Sequence, residues 1–293
     1  MNEKTQEKTR WTIGEVLTWT TGFLQKKGVP SARLDAEILL AHALESDRVS
    51  LYLNFDRPLT TEERARYREL VGRRARREPV ALITGVKEFW SVELRVVSGA
   101  LIPRPDTEVL VEASIEAVDA LHATRVLEIG AGTGAVSIAL AKERPGIRIL
   151  ATDLDKGAAG LARGNAETAG FSPQVDFLCA DLFTALRPAP TFDLIVSNPP
   201  YVPTDDIAEL EPEVADFEPR LALDGGPDGL DVIRRITQHA RSFLNSPGAL
   251  LMEIGHDQGP QVEELIRVVG GFAEVRFYKD TAGRTRVVRA DVA

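Results

Sequence analysis

The sequence predicts a helical N-terminal domain followed by an α/β domain with a mostly parallel sheet. Apolar residues recur at helical spacing as far as about residue 84, whereas beyond residue 125 short apolar runs alternate with amphipathic segments. Residues 89–96, between the two, show the period-two alternation typical of a short strand or a hairpin. A length of 293 residues also suits two domains better than one.

The N-terminal part has the pattern of amphipathic helices over residues 12–27, 32–44 and 61–77. No catalytic group stands out here. The third helix is rich in arginine, and these residues form either a solvated face balanced by acids or a docking surface for an acidic partner or RNA. They are Arg64, Arg66, Arg68, Arg73, Arg74, Arg76 and Arg77.

A proline-rich loop precedes the α/β part. Pro103 and Pro105 flank Arg104, which predicts a rigid loop, and a helix over residues 107–121 is expected to begin from it. The domain boundary is expected in this region.

Strand, loop and helix then alternate, which predicts a mostly parallel sheet. The last two strands are joined by a short turn containing Ala282 and Gly283, so the final strand is expected to run antiparallel. The predicted strands cover residues 126–129, 147–152, 175–178, 194–197, 249–254, 273–278 and 285–290, and the helices residues 135–143, 156–169, 230–244 and 258–269.

Composition narrows the classes of function. A net charge of −9 argues against a nucleic-acid-binding surface over the whole chain, although a local basic patch stays possible. Cys179 is the single cysteine, so no intrachain disulfide can form, and a cytoplasmic location is expected. Residues 1–10 lack the apolar stretch of a secretory signal, and no apolar run approaches the ~18 residues that span a bilayer. The four histidines are too scattered for a metal site, so no metal is expected.

A glycine-rich turn follows the first strand of the α/β part. Gly130-Ala131-Gly132-Thr133-Gly134-Ala135 satisfies the dinucleotide-binding pattern, so an NAD enzyme is one interpretation. The adjacent Glu128 favours another, because a carboxylate repels a pyrophosphate and suits a ligand that carries an ammonium and a sulfonium. S-adenosylmethionine is such a ligand.

Acidic residues are expected at the ends of the next two strands. Asp153 is placed to accept hydrogen bonds from both ribose hydroxyls of a bound nucleoside, and Asp181 and Leu182 to border the adenine, with Leu182 on its face. Each acid alone is commonly a helix cap or a surface charge. Together they predict a cofactor site formed by Glu128, Gly130, Ala131, Gly132, Thr133, Gly134, Asp153, Asp181, Leu182 and Asn198.

The run Asp193-Leu194-Ile195-Val196-Ser197 predicts a buried strand that ends in Asn198-Pro199-Pro200-Tyr201. The prolines hold a stiff turn at the carboxyl end of the strand, where open α/β sheets bind ligands. The Asn198 side-chain carbonyl and the Pro199 backbone carbonyl can then point the same way and hold a planar –NH2. Tyr201 would supply an electron-rich wall. Asn-Pro and Pro-Pro also mark ordinary turns, so the motif depends on its neighbours.

With these motifs the chain resembles the peptide chain release factor glutamine methyltransferases of the HemK/PrmC type from about residue 11 to residue 289. Asn-Pro-Pro-Tyr alone recurs in many amino-methyltransferases, whereas the loop Pro103-Arg104-Pro105-Asp106-Thr107-Glu108 behind a helical domain is far more specific. Further landmarks are Glu88-Phe89-Trp90, Glu218-Pro219-Arg220-Leu221-Ala222-Leu223, Glu253-Ile254-Gly255 and Asp280-Thr281-Ala282-Gly283-Arg284.

The resemblance implies an N-terminal helical substrate-docking domain over residues 1–84, a β-hairpin linker over residues 85–102, and a Rossmann-like seven-stranded class I methyltransferase domain over residues 103–293. It implies transfer of a methyl group from S-adenosylmethionine to the side-chain amide of the glutamine in the Gly-Gly-Gln motif of class I release factors. It also implies a role in translation termination, and we expect the protein to be a monomer.

The catalytic residues implied are Asn198, Pro199, Pro200 and Tyr201, which would also bind the substrate together with Arg104. Two other interpretations remain. An amino-methyltransferase acting on DNA or RNA bases would share residues 198–201 and use the arginine-rich helix as its basic surface. A methyl-donor-binding protein without catalysis would not need the turn at residues 198–201, here called the acceptor turn, which is intact in this sequence.

Overall fold

The computed structural model describes residues 10–292. The absence of a signal sequence was predicted from residues 1–10, of which residues 1–9 lie outside this range, as does residue 293. The chain divides after Gly85 into two compact units, each with its own hydrophobic core. Among the described residues, no helix combines the length and the apolar character needed to cross a membrane.

The first unit is helical, and its core is formed by leucines such as Leu17, Leu39 and Leu51. The first and fourth helices each begin with a capping box, Thr12 with Glu15 and Thr60 with Glu63. The third and fifth helices were not predicted, because runs of six and five residues are too short to show helical periodicity. The helices are α1 (Ile13–Lys26), α2 (Ala32–Ala43), α3 (Arg48–Leu53), α4 (Thr61–Arg74) and α5 (Val80–Thr84).

Several arginines of α4 are paired within this unit. Arg74 is buried and lies 2.7 Å from Asp35 of α2, Arg66 lies 3.2 Å from Glu45, and Arg73 pairs with Glu78. Internal carboxylates therefore balance part of the basic surface.

The second unit opens with a two-stranded antiparallel hairpin, β1 (Val86–Phe89) and β2 (Val92–Arg95). Trp90 and Ser91 form its turn, both with left-handed backbone at φ 52° and 54°. Phe89 and Leu94 are buried in the larger core of this unit, so the hairpin packs against it.

A short 3-10 helix, Pro105–Thr107, leads into the α/β elements. The helix predicted over residues 230–244 ends earlier, at Ala240. A turn follows it, and the strand predicted from residue 249 already begins at Leu244. The helices are α6 (Glu108–Leu121), α7 (Ala135–Glu143), α8 (Lys156–Ala169), α9 (Pro212–Ala215), α10 (Asp231–Ala240) and α11 (Gly259–Val269). The strands are β3 (Arg125–Ile129), β4 (Arg148–Asp153), β5 (Val175–Cys179), β6 (Phe192–Ser197), β7 (Leu244–Glu253), β8 (Phe272–Lys279) and β9 (Thr285–Val292).

These strands form one seven-stranded sheet in the order β5-β4-β3-β6-β7-β9-β8. β9 pairs antiparallel with β7 and β8, and the other neighbours are parallel. The strand order reverses between β3 and β6, and ligands of open α/β sheets bind at such a point. The sheet, the helical unit before it and the small hairpin confirm the predicted fold class.

Candidate active site

A cavity of about 380 Å³ lies in the second unit, at the carboxyl ends of β3, β4 and β6. The glycine turn, Asp153 and Asp181 line one part of it, and the residues after β6 line another. Most of the predicted site residues are therefore brought together. Those that line the cavity are Arg104, Glu128, Gly130, Ala131, Gly132, Thr133, Asp153, Asp181, Leu182, Asn198, Pro199 and Pro200.

The glycine turn needs residues without a side chain. Gly130 has φ +78°, a conformation that other residues adopt only under strain, and a Cβ there would lie 3.7 Å from the backbone oxygen of Asn198. The turn after β3 therefore runs close to the turn after β6. Gly134 does not line the cavity; it precedes α7, with φ +81°.

Glu128 is almost completely buried, with 3% of its surface exposed. Its Oε2 accepts hydrogen bonds from both the backbone N–H, at 3.1 Å, and the hydroxyl of Ser137 in the first turn of α7. Burial raises the pKa of this carboxyl to about 8, despite the hydrogen bonds from Ser137. A cation bound in the cavity would favour the charged form of Glu128.

Asp153 is half-buried at the end of β4. Its Oδ2 accepts a hydrogen bond from Gly132 N at 2.8 Å, and its Oδ1 accepts one from Asp155 N at 2.8 Å. Burial is the main reason that the pKa of this carboxyl is raised. Each oxygen has a second lone pair, so the carboxylate can hold the turn and still accept from a ligand.

Asp181 and Leu182 follow β5 by two and three residues, because the strand ends at Cys179. Asp181 Oδ2 lies 2.7 Å from Nη2 of Arg235, a residue of α10 that also lines the cavity. Leu182 has φ 49°, a left-handed conformation that is uncommon for leucine.

Asn198 follows β6 directly and is half-buried. Its Nδ2 donates a hydrogen bond to Thr107 Oγ1 at 3.2 Å. The amide is therefore held through its nitrogen, and its carbonyl oxygen is left to accept from a bound group. Pro199 and Pro200 line the cavity next to it.

Tyr201 is oriented differently from these neighbours. Its ring packs against the second core cluster of this unit, and its hydroxyl donates to Glu253 Oε1 at 3.2 Å. Tyr201 is not among the residues that line the cavity. Burial raises the pKa of the hydroxyl above its usual value. A wall formed by the Tyr201 ring stays a prediction.

Arg104 pairs with Glu218, whose Oε2 also accepts a hydrogen bond from Ile102 N at 3.4 Å. Glu218 belongs to the connection over residues 202–229, so one buried carboxylate joins this connection to the proline-rich loop. Within this connection, Val202 N donates to Leu223 O at 3.0 Å and Gly225 N to Val202 O at 2.9 Å, so the connection folds back to the residue that follows Tyr201.

Sequence reasoning missed several lining residues. Leu221, more than half exposed at 57%, comes from the connection, and Val232 and Ile236 lie one turn apart on α10. The i, i+4 apolar spacing on α10 was visible in the sequence, but it did not show which cavity this face would meet. Within residues 10–292 no three histidine, cysteine or acidic side chains are grouped so that they could hold a metal ion.

Two families match this chain. The family described as PrmC N-terminal domain matches residues 15–85, and the family described as Methyltransferase small domain matches residues 105–210. The first match lies in the helical unit and the second covers the glycine turn and the acceptor turn.

Two solved structures have a similar fold. The hMettl16 catalytic domain in complex with MAT2A 3'UTR hairpin 1 aligns with a TM-score of 0.57 at 18% identity, covering 77% of this chain and 80% of that one. A 16S rRNA methyltransferase of T. thermophilus in complex with AdoMet and guanosine aligns with a TM-score of 0.52 at 20% identity, covering 71% and 50%.

Full-length relatives are much more similar. The release factor glutamine methyltransferase of Geobacter sulfurreducens is 46% identical over 284 residues, which is 97% of this chain and 98% of that protein. That of Rhodopirellula baltica is 41% identical over 289 residues, again 97% and 98%. This chain therefore belongs to the release factor glutamine methyltransferase family, which confirms the resemblance seen in the sequence and the prediction that the protein is a methyltransferase.

Proposed function

We propose that this protein transfers a methyl group from S-adenosylmethionine to the side-chain amide nitrogen of the glutamine in the Gly-Gly-Gln motif of class I release factors. The observation that carries the proposal is that the glycine turn and Asn198 line one cavity, with the backbone of Asn198 3.7 Å from a Cβ built on Gly130. A donor bound at the turn and an acceptor bound at Asn198 would thus be neighbours.

The residues of the cavity fit S-adenosylmethionine better than a dinucleotide. The two arginines that line it, Arg104 and Arg235, are each paired with a carboxylate, Glu218 and Asp181. Glu128 and Asp153 add acidic groups next to the glycine turn. These carboxylates suit a diol and a cationic group. With both arginines already paired, the cavity offers little positive charge to balance a pyrophosphate.

S-adenosylmethionine supplies an electrophilic methyl group: as the amide nitrogen forms the new N–C bond, the S–C electron pair passes to sulfur and the nitrogen loses a proton to water. The amide is a weak nucleophile, because its lone pair is delocalised into the carbonyl. The protein's contribution is therefore to position the amide and to keep bulk water from competing for the methyl group, while a water at the edge of the site takes the proton. Asn198 Oδ1 and the Pro199 carbonyl are proposed to hold the two N–H groups, and Arg104 and Pro200 to shape the pocket around them. Tyr201 is proposed to support this turn and pack beside the amide.

The helical unit is proposed to dock the release factor. It has a core of its own and, in the described residues, holds none of the cavity lining. We further propose that the protein acts as a monomer in the cytoplasm and uses no metal.

The test is transfer of labelled methyl groups to a panel of a class I release factor, its Gln→Ala variant in Gly-Gly-Gln, tRNA, ribosomes and duplex DNA. We expect label on the release factor and none on the variant. If DNA or RNA takes the label instead, with binding that falls steeply with salt as neutralised phosphates release counterions, the proposal is wrong and the protein is a nucleic-acid methyltransferase.

A further inference from the structure

Glu253 is a buried acid with no role in the proposed methyl transfer. It ends β7, beside the turn that follows β6, and only 1% of its surface is exposed. Its Oε1 accepts the Tyr201 hydroxyl at 3.2 Å, whereas Oε2 has no hydrogen-bond partner among residues 10–292. An unsatisfied buried carboxylate oxygen is costly, so a nearby donor would stabilise it.

The Thr107 hydroxyl is the neighbour that can act as this donor. Thr107 is buried at 5% exposure, and its hydroxyl lies near enough to the Glu253 carboxyl to oppose the rise of the pKa that burial causes there. The same hydroxyl oxygen accepts the Nδ2 hydrogen bond of Asn198 at 3.2 Å. Thr107 thus lies between the buried acid and the residue proposed to hold the substrate amide.

A hydroxyl has one proton to donate and lone pairs with which to accept. When the Thr107 proton is directed at an ionised Glu253, only the lone pairs remain for Asn198, and they can be met by the –NH2 of its amide but not by its carbonyl. The Asn198 amide then has one permitted orientation, with Oδ1 away from Thr107. A protonated Glu253 would release this constraint, since the Thr107 hydroxyl could turn and donate to a flipped amide.

We infer that Thr107 and Glu253 are positioning residues that fix the orientation of the Asn198 amide, so that its carbonyl rather than its –NH2 meets the acceptor nitrogen. The inference rests on the proposed function for its catalytic consequence. It does not rest on that function for the orientation itself, which can be measured without substrate.

The charge of Glu253 should make this orientation depend on pH. Burial raises the pKa of Glu253 to about 7, while Thr107, Tyr201 and the cation of Arg286 oppose that rise and Asp106 adds to it. Arg286 lies 2.7 Å from Asp106 and 3.0 Å from Asp280, so its charge is shared. The amide should be held above about pH 7 and be released below it.

The kinetic test compares Thr107→Val, Thr107→Ser and Glu253→Gln in the full-length protein. Thr107→Val and Glu253→Gln should lower kcat by on the order of 10- to 100-fold, as expected for a misplaced reacting group, with little change in cofactor Kd. Thr107→Ser, which keeps the hydroxyl, should restore kcat. The matched control is Thr237→Val, which removes a buried hydroxyl that donates to Ile233 O in α10, outside the cavity lining.

Wild-type kcat in Thr107→Val, or a Thr107→Ser protein as slow as Thr107→Val, would overturn the inference. The acidic limb of the kcat profile near pH 7 should also disappear in Glu253→Gln. If the wild type itself methylates no release factor, it is the proposed function that fails, and the inference is then decided by spectroscopy alone.

The spectroscopic test follows the side-chain amide resonance of Asn198, assigned by its loss in Asn198→Ala. In wild-type protein without substrate this resonance should shift with a midpoint near pH 7, and in Glu253→Gln it should not. A resonance that is independent of pH in the wild type, or that titrates equally in Glu253→Gln, would mean that Glu253 does not control the amide.

Discussion

Gly132 N donates a hydrogen bond of 2.8 Å to Asp153 Oδ2, which joins the end of β4 to the glycine turn after β3. Asp153 therefore has two tasks in the proposed site, because the same carboxylate shapes the turn and faces the cavity. A substitution there should disturb both the turn and the contact with the ligand.

Asp153→Ala is expected to weaken S-adenosylmethionine binding by about 1–3 kcal/mol, the value of one or two good hydrogen bonds. Calorimetry measures the change, with Asp176→Ala as the control, since Asp176 is an exposed acid on the edge strand β5. NAD should not bind either protein. Tighter binding of NAD than of S-adenosylhomocysteine by the wild type would reject the assignment of the cofactor.

Glu128→Gln is expected to remove a pH dependence of cofactor binding. Because burial raises the pKa of Glu128 to about 8, the carboxyl is mostly protonated at neutral pH in the ligand-free protein. A cationic ligand favours the ionised form, so the affinity of wild-type protein for S-adenosylmethionine should rise between pH 6 and 8. Equal pH profiles for wild type and Glu128→Gln would contradict a contact between this carboxyl and the ligand's charge.

The Glu128 carboxyl should also make folding stability depend on pH, but in the opposite direction from cofactor affinity. Its pKa is raised in the folded state above the ordinary value of 4.5, so its contribution to folding is complete below about pH 4.5 and is lost as pH rises through 8. The melting temperature of the ligand-free wild type should therefore fall more steeply over this range than that of Glu128→Gln. Thermal unfolding without cofactor measures the difference.

Asn198→Ala should slow methyl transfer while cofactor affinity stays close to that of the wild type. Loss of one preorganised hydrogen bond at a reacting centre costs about 3–4 kcal/mol, on the order of 100- to 1000-fold in rate. Single-turnover kinetics at saturating cofactor measures this step directly. Equal rates in mutant and parent would remove Asn198 from the mechanism.

Glu218→Ala should loosen the connection over residues 202–229 and raise the KM for the acceptor more than it changes cofactor Kd. The buried carboxylate holds both the Arg104 guanidinium and Ile102 N, so its loss leaves two donors without their acceptor. Limited proteolysis should find new cleavage within 202–229. Asp119→Ala, which breaks the exposed pair with Arg144, is the control and should show neither effect.

Removal of residues 1–85 should raise the KM for an intact release factor while the cofactor Kd changes little. The cut falls at the boundary of the two units, and the cavity lining lies wholly beyond it. The comparison is made on one release factor with full-length and shortened proteins. An unchanged KM would show that the helical unit does not dock the substrate.

The bounds of the strands and longer helices of the second unit could be predicted to within five residues, because their periodicity is local. The convergence of Glu128, Asp153 and Asn198 followed from the rule that the carboxyl ends of parallel strands meet at one edge, whereas the order of the strands was not predicted. The partner of each side chain could not be predicted in this way. Glu218 meets Arg104, and Tyr201 meets Glu253, across separations of 114 and 52 residues that no local pattern encodes.

The turn at residues 90–91 illustrates the same limit at short range. Two non-glycine residues there adopt positive φ, which their residue types do not favour, whereas the two-residue loop between Phe89 and Val92 requires it to match the twist of the strands.

The reversal of strand order between β3 and β6 also divides the chain's chemistry. In the proposed function, the groups assigned to the methyl donor follow β3, β4 and β5, and those assigned to the acceptor follow β6 or belong to the loop near Arg104. On this assignment the residues for the donor and those for the acceptor would form two separate groups that approach each other at Gly130 and Asn198. A designer who seeks a new acceptor can therefore vary the connection over residues 202–229, including Leu221 at the cavity, and leave the residues assigned to the donor unchanged.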